Sequence, residues 1–413
     1  MHSKMKVLTL PAYAYPEEVA SSHLARDRNE ALVANDMLID IVAPSPCRGL
    51  SDEDYKKYKV IPHESLSDGK INIYRFQMYR EGKNPLFRAL RYCFCWIKQL
   101  RAAYQRDYDV LLIGSTPPIQ GMIGAIAARR RKKPFVYMLQ DIFPDSLVGT
   151  GLAKKDGLLW KIGRLIENFT YKNADKIIVI SQDFKRNIMA KGVSEEKIEV
   201  IYNWVDAEAV RPVAKDENPL YEEFGLRRDI FTVVYAGNLG NAQNIDIVLD
   251  AAERLPEVQF ALFGTGGREA EIRERIVAEQ FGNVHLNPLQ PYGRVSQVYG
   301  LGDVCVVSCK PGLGGAAMPS KTWSIMSSGS AVLASFDEGE LKDIIEKGPY
   351  GVFTHAGNVQ EFVSTIRSLA ADRERCWEMG RNARRFIEGN LTKEVGTGKY
   401  VETIKSVVGK RYC

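Results

Sequence analysis

Short apolar runs alternate with amphipathic stretches over the first 200 residues, a rhythm that predicts strand, helix, strand. Strands are expected at Lys6–Leu10, Ile39–Ala43, Val110–Gly114, Phe135–Leu139 and Lys176–Ile180. Helices are expected over Glu17–Ala34, Gly121–Arg131 and Leu158–Ala174. Apolar strands joined by helices predict a mostly parallel, doubly wound sheet. Between Asn203 and Arg228 the rhythm dissolves into Pro212, Pro219, Gly225 and mixed charge, the composition of a linker or surface excursion. A second series follows, with strands at Phe231–Ala236, Val258–Phe263, Val284–Leu286, Val304–Ser308 and Ala331–Ala334. Helices are expected between them at Ile245–Arg254, Glu269–Gln280, Lys321–Ser328 and Glu340–Lys347. The expectation is two similar α/β domains in tandem, 1–200 and 201–390. A long helix-like stretch runs from Asn358 to Val408, and its end, within 391–413, is expected to return to domain one.

The 413 residues, 45% hydrophobic and 26% charged, suffice for two domains of roughly 150 to 200 residues each. A net charge of +5 does not call for nucleic acid, and no nucleic-acid module accompanies it. The apolar stretch before Pro11 is too short for a signal peptide or a membrane span, so a cytoplasmic location is expected. The seven cysteines show no CxxC spacing and the five histidines no HxH or HxxxH pair. Free thiols and no metal or other cofactor are expected.

In doubly wound folds ligands bind beyond the carboxyl ends of the strands, so the loops there are the places to search. Domain two offers three glycine-rich turns: Gly237-Asn238-Leu239-Gly240, Gly264-Thr265-Gly266-Gly267, and Pro311 to Gly315. Such turns let backbone amides approach a phosphate, though each also serves as a tight turn without a ligand. None is a GxGxxG fingerprint or a P-loop.

The order and spacing of Ile177 to Ser181 with Gly192, Ile198 to Asp206, Tyr235 to Asn238, Phe263 to Gly266 and Pro311 to Ser335 resemble family four of the retaining GT-B glycosyltransferases. That large family includes relatives of glycogen synthase and bacterial mannosyltransferases, and the resemblance covers nearly the whole chain. It implies two Rossmann-like domains facing a deep cleft, the first for the acceptor and the second for a nucleotide sugar. The family usually carries two glutamates separated by seven residues. Ala316 and Ser324 stand at those positions here. Pro319-Ser320-Lys321 with Trp323 resembles a branch that makes surface polysaccharides, amino-deoxysugar transferases among them. The family's phosphate-binding loop lysine aligns with Gln243, and its domain-one histidine with Gln140, which precedes Asp141.

A departing nucleoside diphosphate still needs positive charge. Lys310, Lys321 and Arg268 are the cations nearest in sequence, each equally readable as an ordinary surface residue. Turn amides at Gly237, Asn238, Gly314 and Gly315 are expected to help, with Gly264, Gly266, Ser320 and Ser324 completing the donor side. On the acceptor side the resemblance points to Gln140 and Asp141. Tyr13 and Tyr15, in the loop Pro11 to Pro16 that replaces the family's glycine-rich turn, either line the acceptor path or pack in the core. Asp141 and Asp145 also read as helix caps. Between residues 75 and 106, eight Lys and Arg face only Glu81 and interleave with aromatics. Such a segment suits an anionic membrane surface, or a solvated face over core aromatics. Arg129 to Lys133 add further charge.

These readings converge on a metal-independent, retaining hexosyltransferase, peripheral at the inner face of the plasma membrane. It would move sugar from a donor, UDP-linked by expectation, to a lipid-linked or oligosaccharide acceptor during O-antigen, capsule or exopolysaccharide synthesis. Loss of both glutamates leaves open a non-catalytic sugar-nucleotide-binding protein, and an epimerase on the same fold is a further rival.

Overall fold

The computed structural model describes residues 4–17, 22–80, 85–149, 153–314 and 317–412, so Gly315 and Ala316 lie outside the described residues. The chain divides into two compact units, Met1–Tyr202 with Gly396–Cys413, and Asn203–Val395.

Unit 1 is built on eight strands: β1 Met5–Thr9, β2 Met37–Pro44, β3 His63–Leu66, β4 Ile71–Phe76, β5 Val110–Gly114, β6 Phe135–Leu139, β7 Lys176–Val179 and β8 Ile198–Val200. Their order is β3-β4-β2-β1-β5-β6-β7-β8. Every neighbouring pair is parallel except β3 and β4. Strand β6 is buried throughout and β5 nearly so, which is why both read as unbroken apolar runs. The order reverses at β1, which pairs with β2 on one side and β5 on the other, opening a crevice beyond the end of β1. The helix Gln120–Arg131 packs against both Pro85–Gln105 and Leu158–Asn173. Two glycines permit its close approach: a Cβ on Gly121 would lie 2.5 Å from the Thr170 methyl, and one on Gly124 2.7 Å from the Phe135 ring.

Unit 2 carries six parallel strands, β9 Thr232–Asn238, β10 Gln259–Thr265, β11 Val284–Asn287, β12 Val304–Ser308, β13 Ala331–Phe336 and β14 Gly351–His355. Their order is β11-β10-β9-β12-β13-β14, so the reversal falls between β9 and β12. The loops after those two strands diverge there.

Three expectations need correction. The first described helix is Ser22–Ala34, not Glu17–Ala34. Glu17 instead turns its carboxylate onto the backbone amides of Ala14, Cys47 and Arg48. The stretch expected as a linker packs onto unit 2: Lys215 pairs with Asp303 at 2.7 Å, and the Tyr221 hydroxyl donates to the Leu301 carbonyl. The terminal helical stretch is three helices, Val359–Ala371, Arg373–Asn390 and Lys393–Tyr412. Asp372 caps the second through the Arg375 amide.

Candidate functional site

In unit 2 β9 ends at Gly237 and Asn238, and the φ of 141° at Gly237 is a glycine conformation. Lys321, the first residue of the helix Lys321–Ser327, reaches this turn from the loop side of β12. Its Nζ lies 4.0 Å from the centroid of the Tyr235 ring. A Cβ on Gly237 would come within 2.9 Å of that nitrogen, so the glycine makes room for the amine. Part of the lysine stem reaches solvent, yet Nζ itself is buried and has no hydrogen-bond partner among the described residues. Burial lowers its pKa from 10.5 to about 7. The Tyr235 hydroxyl donates to the Asn238 carbonyl at 2.7 Å, fixing the ring beneath the amine. An unpaired buried ammonium is costly unless an anion joins it, and its placement at a glycine turn suits a phosphate.

The neighbouring residues separate into two kinds. Asn238 donates to the Gln243 side chain, so these two form one polar edge of the turn. The loop that carries them is tied to β12: the Lys310 amide donates to the Ala242 carbonyl and the Ser308 hydroxyl to the Gln243 carbonyl. Gly264 and Gly266 instead hold turn against turn. A Cβ on Gly264 would lie 2.5 Å from the Gly237 carbonyl oxygen, and one on Gly266 2.6 Å from that of Leu239.

Two expected phosphate contacts are already committed. The Arg268 guanidinium bonds both Asp246 oxygens, at 2.7 and 3.0 Å, and pairs with Glu271. Glu271 and Asp246 hold its pKa well above the ordinary arginine value. The Gly314 amide donates to Asp337 at 2.7 Å and that of Gly312 to the same carboxylate at 3.0 Å, because Asp337 follows β13 and faces this loop. The hydrogen bonds from Arg268 hold the Asp246 and Glu271 carboxyls below their usual range, and the positive charge of Lys310 adds to this in smaller measure. Ser320 precedes the Lys321 helix without capping it, and Ser324 is half-buried within that helix. Tyr235 and Asp337 were missed by sequence reasoning: a tyrosine inside an apolar strand and an aspartate 23 residues from Gly314 carry no local signal.

In unit 1 the loops after β1 and β6 hold the acceptor-side candidates. The amides of Gln140 and Asp141 both donate to the Ser115 hydroxyl, at 3.0 and 3.2 Å. Asp141 accepts from the Ser146 hydroxyl, and although its outer edge is exposed, crowding of the carboxyl raises its pKa. Asp145 pairs with Lys191 at 2.8 Å and belongs to the scaffold. The Tyr13 hydroxyl lies 2.9 Å from that of Tyr92, with Arg48 over its ring, while Tyr15 is 49% exposed. The path of their loop is set by two buried glutamines. Gln99 donates to the carbonyls of Pro11 and Val42, and Gln120 to those of Leu10 and the Gln99 side chain.

The basic segment 75–106 is less free than its count suggests. Arg75 is buried against Glu64 and the Tyr15 carbonyl, Arg80 pairs with Asp52, and Arg91 bonds the Tyr79 carbonyl. Arg106 pairs with Asp40 over the Tyr74 ring. Lys98 and Arg101 remain exposed; Lys83 and the Arg88 side chain lie outside the described residues.

Residues 25–209 match the family described as Glycosyltransferase Family 4, and residues 218–386 match Glycosyl transferases group 1. The chain belongs to glycosyltransferase family 4. This family 4 transferase is 27% identical over 290 residues to the probable glycosyltransferase WbjE of Pseudomonas aeruginosa, covering 67% of this chain and 70% of WbjE. It is 27% identical over 277 residues to the putative colanic acid biosynthesis glycosyl transferase WcaI of Escherichia coli, covering 65% and 67%. Sucrose-phosphate synthase from Thermosynechococcus elongatus superposes with a TM-score of 0.78 at 15% identity, over 98% of this chain and all of that one. Anabaena HepE in complex with UDP-glucose gives 0.71 at 20% identity, over 97% and 100%. The two parallel-sheet units are those of the GT-B fold.

Proposed function

We propose that this glycosyltransferase takes a UDP-sugar at the Gly237–Asn238 turn of unit 2 and transfers the sugar, with retention, to a lipid-linked or oligosaccharide acceptor in surface polysaccharide synthesis. The observation that carries the donor site is the buried, unpartnered Lys321 Nζ over Tyr235. WcaI is named for colanic acid biosynthesis and HepE was solved with UDP-glucose; both support the choice of pathway class and nucleotide.

In this reading the acceptor hydroxyl attacks the anomeric carbon on the face from which the diphosphate departs. The bond to the sugar breaks as the new glycosidic bond forms, and a departing phosphate oxygen takes the hydroxyl proton. No protein carboxylate need bond the sugar, so the chain can work with Ala316 and Ser324 where its family usually has glutamates. Protonated Lys321 offsets the charge that develops on the diphosphate, and the exposed edge of Asp141 with Tyr15 contacts the acceptor. No metal is called on. The exposed part of the Pro85–Gln105 helix holds the enzyme at an anionic membrane where a lipid-linked acceptor would lie.

The test is a panel of UDP-, GDP- and dTDP-sugars, read by thermal stabilisation and by nucleotide release with and without undecaprenyl-diphosphate-linked sugars. Stabilisation and acceptor-dependent release with one UDP-sugar is expected. Binding without release would make the protein a non-catalytic binder, release without acceptor would favour hydrolysis or epimerisation, and no binding would refute the donor site.

A further inference from the structure

The outer face of the Pro85–Gln105 helix is apolar where water should be: Phe87, Phe94 and Ile97 are 58%, 55% and 61% exposed. Their spacing places them along one stripe of the helix. A second helix, Leu158–Asn173, repeats the feature without any forewarning from the charge pattern. Leu158, Leu159 and Leu165 are 78%, 52% and 69% exposed. Both helices pack against Gln120–Arg131, so they belong to one layer of unit 1. Isolated exposed apolar side chains need no explanation, but two stripes on helices that flank a common neighbour do.

The charges around these stripes choose the occupant. The segment 85–105 has no Asp or Glu, and its exposed cations among the described residues are Lys98 and Arg101. Around the second helix Lys154, Lys155, Lys161 and Lys172 are exposed against two exposed acids, Asp156 and Asp175, and Asp175 already accepts from the Phe135 amide; Glu167 is buried and bonded to Tyr171 and Lys191. Trp160, within reach of Arg164, adds the side chain most at home at a lipid headgroup boundary. Two copies of this face would repel each other, whereas an anionic bilayer matches both the apolar stripes and the cations. No helix among the described residues is long and apolar enough to cross a membrane, so the contact is with the surface.

We infer that the Leu158–Asn173 helix is a second membrane-docking element, which together with Pro85–Gln105 makes unit 1 rest on an anionic bilayer along two helices rather than one. The inference rests on the reading that this transferase works at a lipid surface, but not on the donor assignment. Two attachment lines fix the tilt of unit 1 relative to the membrane normal, whereas a single in-plane helix leaves it free to roll about that helix axis.

The test is co-sedimentation of the full chain with vesicles of phosphatidylcholine alone and of phosphatidylcholine with phosphatidylglycerol. Three proteins are compared: the wild type, Phe94→Ser with Ile97→Ser, and Leu158→Ser with Leu165→Ser. All four positions are exposed, so folding should survive, and UDP-induced thermal stabilisation of each variant checks this and reports separately on the donor site. The expected result is salt-sensitive binding to the anionic vesicles only, reduced about tenfold or more in either pair of substitutions. If Leu158→Ser with Leu165→Ser binds as the wild type does while Phe94→Ser with Ile97→Ser does not, the second element is wrong and the single-helix reading stands. Failure of the wild type to bind overturns both. A wild type that is dimeric by ultracentrifugation and becomes monomeric on serine substitution would assign the face to self-association instead.

Discussion

Replacing Lys321 by methionine keeps the length of the side chain and removes its charge. In the unfolded chain this amine titrates near 10.5; buried over Tyr235 it titrates at about 7. At about 1.4 kcal/mol per pH unit, the protonated form is about 5 kcal/mol harder to hold in the folded protein than in the unfolded chain. The sign follows from proton counting. Between pH 7 and 10.5 the unfolded chain binds a proton that the folded protein does not, so this residue makes stability rise with pH across that window. Below it, both states are protonated and the full penalty applies. Lys321→Met removes the penalty, so without ligand the variant should be more stable than wild type by several kcal/mol at about pH 7. The difference should shrink towards zero by about pH 10. Urea unfolding at both pH values measures it, with the difference between the two proteins cancelling every other titrating group. The same variant should lose the stabilisation that saturating UDP confers on the wild type, about 2.7 kcal/mol at a hundredfold excess over Kd. A variant less stable than wild type at pH 7, or a pH slope shared by both proteins, would refute the picture of a buried unpaired amine. Equal stabilisation of both by UDP would refute its role at the phosphate.

Other substitutions test the scaffold around each half of the site. Asp141→Asn should leave stability at neutral pH unchanged or slightly higher, since crowding raises the carboxyl's pKa and its charge is a cost above the unfolded value; UDP binding should persist while sugar transfer falls about tenfold or more, as measured by product formation. Gly264→Ala drives a methyl towards the Gly237 carbonyl and should cost about 1 to 3 kcal/mol, with weaker UDP binding in the folded fraction, by urea unfolding and calorimetry. Gln120→Leu leaves the Leu10 carbonyl, the Gln99 side chain and the Trp96 indole without their partner and should cost about 2 to 4 kcal/mol, read by urea unfolding.

The strands were legible because both sheets bury their central members on two faces, and unbroken apolar runs such as Val110–Gly114 and Phe135–Leu139 have few other readings. The β3–β4 hairpin escaped because His63–Leu66 is short and polar, and the alternation in Ile71–Phe76 was overshadowed by the charge of Arg75. Glu17, a good helix former, lies outside the first helix because its carboxylate clasps three loop amides instead. At the proposed donor turn the sequence offered three cations of equal standing. Distant pairing separated them: Asp246, 22 residues before Arg268, occupies one, while none of the described residues hydrogen-bonds Lys321 Nζ. The free charge of the basic segment was overstated in the same way, since Asp40, Asp52 and Glu64 answer three of its arginines from outside it.

The two buried glutamines have a consequence for how such an enzyme changes. They hold the loop after β1 by the carbonyls of Leu10 and Pro11, groups that every residue possesses. The backbone course is thereby set independently of what the loop displays, and Tyr15, exposed at its far side, is open to exchange. With Tyr15 at the acceptor as proposed, acceptor preference can drift by substitution at the loop tip while the main chain stays in place, and a lineage can sample new glycans without first rebuilding its fold.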